Sequence, residues 1–489
     1  MSSLGQKAVR GGSITLLGQG IKLILQLGGL IVLGRILPPE QFGLVAMVTA
    51  ISGLADVLRD MGLSSAAIQA KTLSRGQQSN LFWLNSSLGL ALGFAALVLA
   101  GPIADFYGDD RLIGITMALA PMFLFNGVQT QFQATLARNL QFRALMFTDI
   151  LSLAVGLAGA IALALIGAGY WALVGQLVLQ SLTLLLGRVA VARWFPGLPD
   201  RSAPTRRLLT FGANLMATQL LVYASSSIPS VLVGARSGAQ ALGFYSRASQ
   251  LVTFPINQLF TPITNVALPV LSRSQDDRER FDRHLLRSQI ALGYIVVLTF
   301  AVCIGVADSI IPLVFGEEWA PSAPLFQILA IGGAFQAVSY PTYWVFLARG
   351  LTGSHLRYSL ISRSIVIVSV LIGSVSGVYG VALGYVIGVA IGWPLSLLWL
   401  RGHDAGPIRA MFGNGLRVIL VGSVVALAGL GISRLTVNDA DILRVVYALL
   451  ICAGTTVLLA FVVPDVRRDR VIIVQTLAHL KPGSSAGGK

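Results

Sequence analysis

The residues of this chain that can do chemistry are cations placed where a charge is hard to keep. Lys22 lies inside the apolar stretch 12–37, GSITLLGQGIKLILQLGGLIVLGRIL, which is long enough to cross a bilayer. Thr15, Gln19, Lys22 and Gln26 follow steps of four, three and four, so they share one helical face. Farther on, Arg247, Gln250, Phe254, Gln258, Thr261 and Asn265 recur at similar spacing through an apolar run that also holds Pro255 and Pro262. A charged side chain at membrane depth must face a partner or water, and so marks a function by default. Lys22, Arg247 and Arg59 can hold an anion there. Phosphates suit them, because cations bind phosphates strongly at low dielectric and arginine can do so with two parallel hydrogen bonds.

Each of these readings has a plainer rival. Asp56 can form a structural ion pair with Lys22. Arg247, near the start of its span, can snorkel outward. Thr49 and Ser52 in the second apolar stretch, Asn126, Gln129 and Gln133 in the fourth, and Asn214, Thr218 and Ser225 in the seventh have two readings. They line a wet cavity, or they bond helix to helix at about 1 kcal/mol each.

Signatures of catalysis are missing. No GxxxxGK[ST] occurs, so there is no nucleotide site of that type. The four histidines, His284, His355, His403 and His479, are too scattered for a metal cluster, and no cofactor is implied. Cys303 and Cys452 sit in apolar runs and read as small packing residues. The residues therefore point to a protein that is not an enzyme.

The elements that must position these side chains are membrane helices. Of 489 residues, 55% are hydrophobic and 11% charged, with mean hydropathy +0.77. Soluble globular chains carry about 25% charge, so the fold class is an all-α polytopic membrane protein. The net charge of +15 does not mean nucleic acid, since nearly all of it lies in short loops between apolar stretches. Fourteen transmembrane spans are predicted, at 13–36, 42–58, 80–104, 112–134, 147–167, 170–192, 208–233, 243–271, 288–314, 323–347, 359–378, 379–400, 411–433 and 443–463. With a cytoplasmic N-terminus, most basic residues fall inside, Arg188 counted among them. Only Arg35, Arg111, Arg236, Arg434 and Arg444 fall outside, and Lys22 and Arg247 lie within spans. That bias predicts both termini in the cytoplasm. Lys7 and Arg10 precede a full-length span, which reads as an uncleaved first helix. Trp83, Trp171, Trp194, Trp319 and Trp399 near span ends are expected as interface anchors.

An internal repeat sets the architecture. Gly12, Gln19, Gly34 and Gly43 recur 200 positions on as Gly212, Gln219, Gly234 and Gly243. Phe106-Tyr107-Gly108-Asp109-Asp110 after the third span is matched by Val314-Phe315-Gly316-Glu317-Glu318 after the ninth, and Ala137-Arg138 by Ala348-Arg349. Two six-helix lobes in parallel orientation are expected, with the substrate site at their interface near the midplane. The expected organisation is an N-terminal lobe at 1–195, a Pro-rich linker at 196–207, a C-terminal lobe at 208–402, two extra helices at 403–466 and a cytoplasmic tail at 467–489, Gly/Ser-rich and disordered over 480–489. The charged segment 272–287 reads as a short amphipathic surface helix or as a solvated loop.

Gly34-Arg35-Ile36-Leu37-Pro38-Pro39-Glu40-Gln41-Phe42-Gly43, then Asp56 and Met61-Gly62-Leu63, resembles the opening of bacterial Wzx-type polysaccharide exporters. Leu136-Ala137-Arg138-Asn139-Leu140-Gln141-Phe142-Arg143, Gly169-Tyr170-Trp171-Ala172-Leu173-Val174 and Gly243-Phe244-Tyr245-Ser246-Arg247-Ala248 are further points of resemblance, which spans about residues 5–400. The resemblance implies the multidrug/oligosaccharidyl-lipid/polysaccharide (MOP) exporter fold. It implies flipping of undecaprenyl-diphosphate-linked oligosaccharide units across the bacterial inner membrane by alternating access, for exopolysaccharide, capsule or O-antigen. Membrane lipids, a polysaccharide polymerase and chain-length machinery are the implied partners. Lipid II flippases of that superfamily use basic residues on the first, second and eighth helices, for which Lys22, Arg59 and Arg247 stand here. Gln19, Gln26, Gln250 and Gln258 complete the candidate site. The groove that lipid II flippases form for the prenyl tail with their last two helices has a candidate counterpart at 411–463. Rival readings are a lipid II flippase, an ion-coupled multidrug exporter, which would favour carboxylates and aromatics over cations, and a membrane polymerase or ligase, which would need a large outer loop.

Overall fold

The computed structural model describes residues 2–60, 74–200 and 206–479, with side chains over 18–55, 57–58, 74–200 and 219–472. The side chains of Thr15, Asp56, Arg59, Asn214 and Thr218 lie outside that description, as do Met61, Gly62, Leu63 and the 480–489 tail. The described residues are helical almost throughout, and no strand occurs among them. Two compact units emerge, Met1–Gly243 and Phe244–Lys489.

The first unit is built from α1 (Ser2–Ile36), α2 (Pro39–Asp60), α3 (Arg75–Tyr107), α4 (Arg111–Arg138), α5 (Phe142–Leu165), α6 (Trp171–Ala192) and the start of α7 (Arg206–Arg273). α7 is a 68-residue run broken at Gly238, where φ 80° and ψ −179° interrupt the helix, so it forms two arms, 206–237 and 239–273. The second arm runs on into the second unit, followed by α8 (Arg278–Phe315), α9 (Ser322–Ala348), α10 (Thr352–Gly373), α11 (Gly377–Arg401), α12 (Ile408–Leu435), α13 (Asp441–Val462) and α14 (Pro464–His479). Every one of the fourteen expected spans falls on a helix, with the seventh and eighth on the two arms of α7. Ten spans among the described helices are long and apolar enough to cross a membrane, with Thr352–Arg401 taken as one. The chain is a multi-pass membrane protein.

Local chemistry explains where the helices stop. Ser74 caps α3 by accepting the Gln77 N–H at 3.1 Å, while the Gln77 side chain returns to the Ser74 N–H at 3.0 Å. α3 and α8 both end on a glycine with positive φ, Gly108 at 71° and Gly316 at 105°, whose N–H groups bond to Ala104 O and Pro312 O. These are the matched positions of the repeated loops. α2 and the second arm of α7 cross within the first unit through another matched pair. A Cβ on Gly43 would fall onto Ala239 O, and a Cβ on Gly243 onto Pro39 O, so each glycine meets the residue 200 positions from the other's partner. In the turn between α3 and α4, bonds from the Arg111 side chain hold the Asp109 carboxyl below the usual carboxylate range. Arg111 also reaches Glu40 at 2.7 Å.

Three expectations need correction. The segment 272–287 is not a separate surface helix: 274–277 forms a turn, Asp277 caps α8 by accepting the Arg280 N–H at 3.0 Å, and the helix from Arg278 runs unbroken into the ninth span. Trp319 is no interface anchor. It is 1% exposed, with its ring edge-on to Phe244. Residues 464–479, read mostly as tail, form α14, whose Asp469 is 2% exposed. Asp469 takes two bonds from Arg417 of α12, at 2.8 and 2.9 Å, and one from the Tyr294 hydroxyl of α8 at 3.0 Å. Nearby, α12, α13 and the start of α14 line an apolar groove of about 450 Å³ that includes Leu416, Leu420, Val424 and Leu459, within the stretch expected to hold a tail groove.

Candidate functional site

Lys22 sits about three turns into the apolar stretch 12–37 of α1, and its ammonium is engaged. Lys22 Nζ lies 3.3 Å from Asp149 Oδ2 on α5. The other carboxylate oxygen, Oδ1, accepts from Arg188 Nη2 on α6 at 2.9 Å. Arg188 Nη1 donates in turn to Gln133 Oε1 at 2.9 Å and to Gln129 Oε1, both on α4. Four helices therefore contribute to one polar cluster, and its members differ sharply in burial. The side chains of Lys22 and Asp149 are 34% and 32% exposed, while that of Arg188 is 5% exposed. Lys22, Asp149 and Gln19 open onto a pocket of about 140 Å³ also lined by Gly18, Phe142, Leu145, Met146 and Ile150. α1 approaches α5 closely at this point because Gly18 carries no side chain: a Cβ there would overlap Met146 Sδ.

Counted as charges, the cluster holds two cations and one carboxylate, a net charge of +1 among the described residues. Such a group in apolar surroundings is a ready site for a further anion, with Lys22 as its accessible donor. The cluster lies about 6–14 Å inside the helix ends that carry Arg138, Arg143 and Arg193, at 1.5 Å per residue.

The structure places the remaining candidates as follows. Gln19 and Gln26 are exposed on α1. Arg247, on the second arm of α7, does not snorkel. It is 4% exposed, donates to Gln250 Oε1 at 3.0 Å, and places its guanidinium carbon 5.1 Å from the Trp319 ring centroid and 5.7 Å from that of Phe315. These contacts hold it where α8 ends. Gln250 and Gln258 are exposed. Thr49 and Ser52 bond to carbonyls of their own helix, Val45 O and Val48 O, and Ser225 to Val222 O, so these hydroxyls are accounted for locally.

Sequence reasoning missed the two residues that complete the cluster. Asp149 is the single carboxylate of the fifth span, and Arg188 was counted with loop charges although it lies inside α6. An inventory of charges within spans would have flagged both. The described partner of Lys22 is Asp149; the pairing expected with Asp56 involves a side chain outside the described residues.

The family model described as "Polysaccharide biosynthesis protein" matches residues 32–324, more than half of the chain. The chain belongs to that family. Among curated relatives it is 27% identical over 395 residues to the lipopolysaccharide biosynthesis protein WzxC of Escherichia coli (strain K12), covering 79% of each chain. It is also 27% identical over 304 residues to the succinoglycan biosynthesis transport protein ExoT of Rhizobium meliloti (strain 1021), covering 61% of each. Among solved structures, the lipid II flippase MurJ in an inward closed conformation aligns with a TM-score of 0.73 at 15% identity, covering 95% of this chain and 100% of that one. The fold is thus of the MOP type that the sequence resemblance implied.

Proposed function

We propose that this polysaccharide biosynthesis family member is a flippase of the bacterial inner membrane, with both termini cytoplasmic. It moves undecaprenyl-diphosphate-linked oligosaccharide units from the inner to the outer leaflet by alternating access, supplying exopolysaccharide, capsule or O-antigen synthesis. The substrate changes side and no covalent bond changes. The observation that carries the reading is Lys22, an ammonium inside an apolar helix, one-third exposed to a pocket and backed by a second, buried cation. A diphosphate is the chemistry that such a pair of cations recognises.

In this reading Lys22 contacts the diphosphate near the cytoplasmic leaflet, and Gln19 and Gln26 offer amides to it or to the first sugars. Arg59 adds a second cation, and Asp56 is a coupling carboxylate on the same helix. Arg247, with Gln250 and Gln258, serves the C-terminal lobe, proposed as 208–402, and the N-terminal lobe is proposed as 1–195. A polymerase and chain-length machinery take up the product. The likeness in fold to a lipid II flippase favours one second reading, transport of lipid II itself.

Deleting the gene and identifying the lipid-linked oligosaccharide left facing the cytoplasm tests the function. Accumulation of one such species, relieved by the wild-type gene and not by Lys22→Ala, is expected. Normal polymer export in the deletion strain, or full rescue by Lys22→Ala, contradicts it.

A further inference from the structure

The cluster around Lys22 is asymmetric in a way that a purely structural ion pair does not require. Each oxygen of Asp149 has its own cation, but the two bonds differ. Arg188 binds Oδ1 at 2.9 Å, within the range of a charge-assisted bond, and is locked from behind by Gln129 and Gln133. Lys22 binds Oδ2 at 3.3 Å, outside that range, by a flexible stem at the rim of the pocket. The charged groups facing Asp149 are Lys22 from α1 and Arg188 from α6, and α4 presents only amides, among the described residues. Asp149 would keep a full counter-charge if Lys22 moved away, because Arg188 stays in place.

We infer that Asp149 is a resident counter-anion that competes with the substrate: it holds Lys22 while the site is empty and surrenders it to a phosphate group. The inference rests on the proposed diphosphate reading and adds to it a residue with a defined role. In the empty state Asp149 keeps Lys22 oriented and its charge compensated. On binding, Lys22 Nζ swings from Oδ2 to a phosphate oxygen while Asp149 remains on Arg188. On release the carboxylate recaptures the ammonium and so helps expel the diphosphate. Asp149 is thus a positioning residue that trades affinity for turnover.

Removing the competitor should raise affinity and slow transport, a pairing that simple damage to the fold does not produce. The probe is undecaprenyl diphosphate, titrated against the purified full-length protein in lipid nanodiscs. Asp149→Asn is expected to bind it about 3–10-fold more tightly than wild type, the scale of losing one partly exposed ion pair, and to turn over more slowly in proteoliposomes. The gain should vanish in the Lys22→Gln, Asp149→Asn double variant. Where Asp149→Asn alone does not fold, Asp149→Asn with Arg188→Gln, which removes a neutral pair, carries the same expectation of tighter, Lys22-dependent binding. Unchanged or weaker binding in the folded Asp149 variant, with Lys22→Gln still impaired, overturns the competition and leaves the diphosphate site standing. Wild-type binding by Lys22→Gln overturns the diphosphate reading itself.

Discussion

At the scale of single residues, what matters is how each cation is held. Lys22 has one partner at 3.3 Å and a third of its side chain exposed, whereas Arg247 is wrapped by two aromatic rings and 4% exposed. The two should therefore respond differently to substitution. Arg247→Ala removes a desolvated cation–π contact worth about 2 kcal/mol or more, so it should lower thermal stability as well as export. Arg247→Lys should recover part of the stability, because an ammonium can still sit over a ring but loses the planar fork. Unfolding followed by tryptophan fluorescence in nanodiscs distinguishes these outcomes, and wild-type stability in Arg247→Ala would contradict the packing role. Sequence alone made Lys22 conspicuous, since a lysine among isoleucines and leucines violates the expected pattern. It did not reveal the partner, because Lys22 and Asp149 stand 127 positions apart and only packing of α1 on α5 joins them.

At the scale of elements, the most apolar helices follow from hydropathy, and ten of the described helices are long and apolar enough to cross a membrane. The joints were less legible. The α2–α7 crossing depends on Gly43 and Gly243, flagged by the repeat but given steric meaning only by Ala239 O and Pro39 O. Gly43→Val and Gly243→Val should each destabilise the protein by about 1–3 kcal/mol through overpacking, read as a lower melting temperature, and by similar amounts because the contacts are matched. A neutral effect at either glycine would show that the crossing has room to spare. α14 was not legible, since its sequence is too charged for a span and its docking hangs on one buried aspartate. Asp469→Asn leaves Arg417 without its carboxylate. The expected cost is about 2–3 kcal/mol, below that of a fully buried pair because Arg417 remains 25% exposed. Faster limited proteolysis within 464–479 checks it, and protection equal to wild type would contradict the latch.

At the scale of the whole molecule, the sequence duplication, the matched glycine ends of α3 and α8, and the MOP-type fold describe one frame onto which function has been added unevenly. The second copy carries Val222 where the first carries Lys22. The cluster of Lys22, Asp149, Arg188, Gln129 and Gln133 is built entirely within the first unit, so the anion-binding chemistry belongs to one half of a repeated scaffold. The class of protein was readable because composition and loop charge are global properties. The site was readable only in part, because its completion depends on contacts between distant spans. The most direct test of the central claim is translocation in proteoliposomes of the undecaprenyl-diphosphate-linked oligosaccharide that the deletion strain accumulates. Wild type should move it to the opposite leaflet. Lys22→Ala should reduce the rate about 10- to 100-fold, the scale of losing one hydrogen bond to a charged group, and Lys22→Arg should retain part of it. Equal rates for wild type and a folded Lys22→Ala protein would contradict the account.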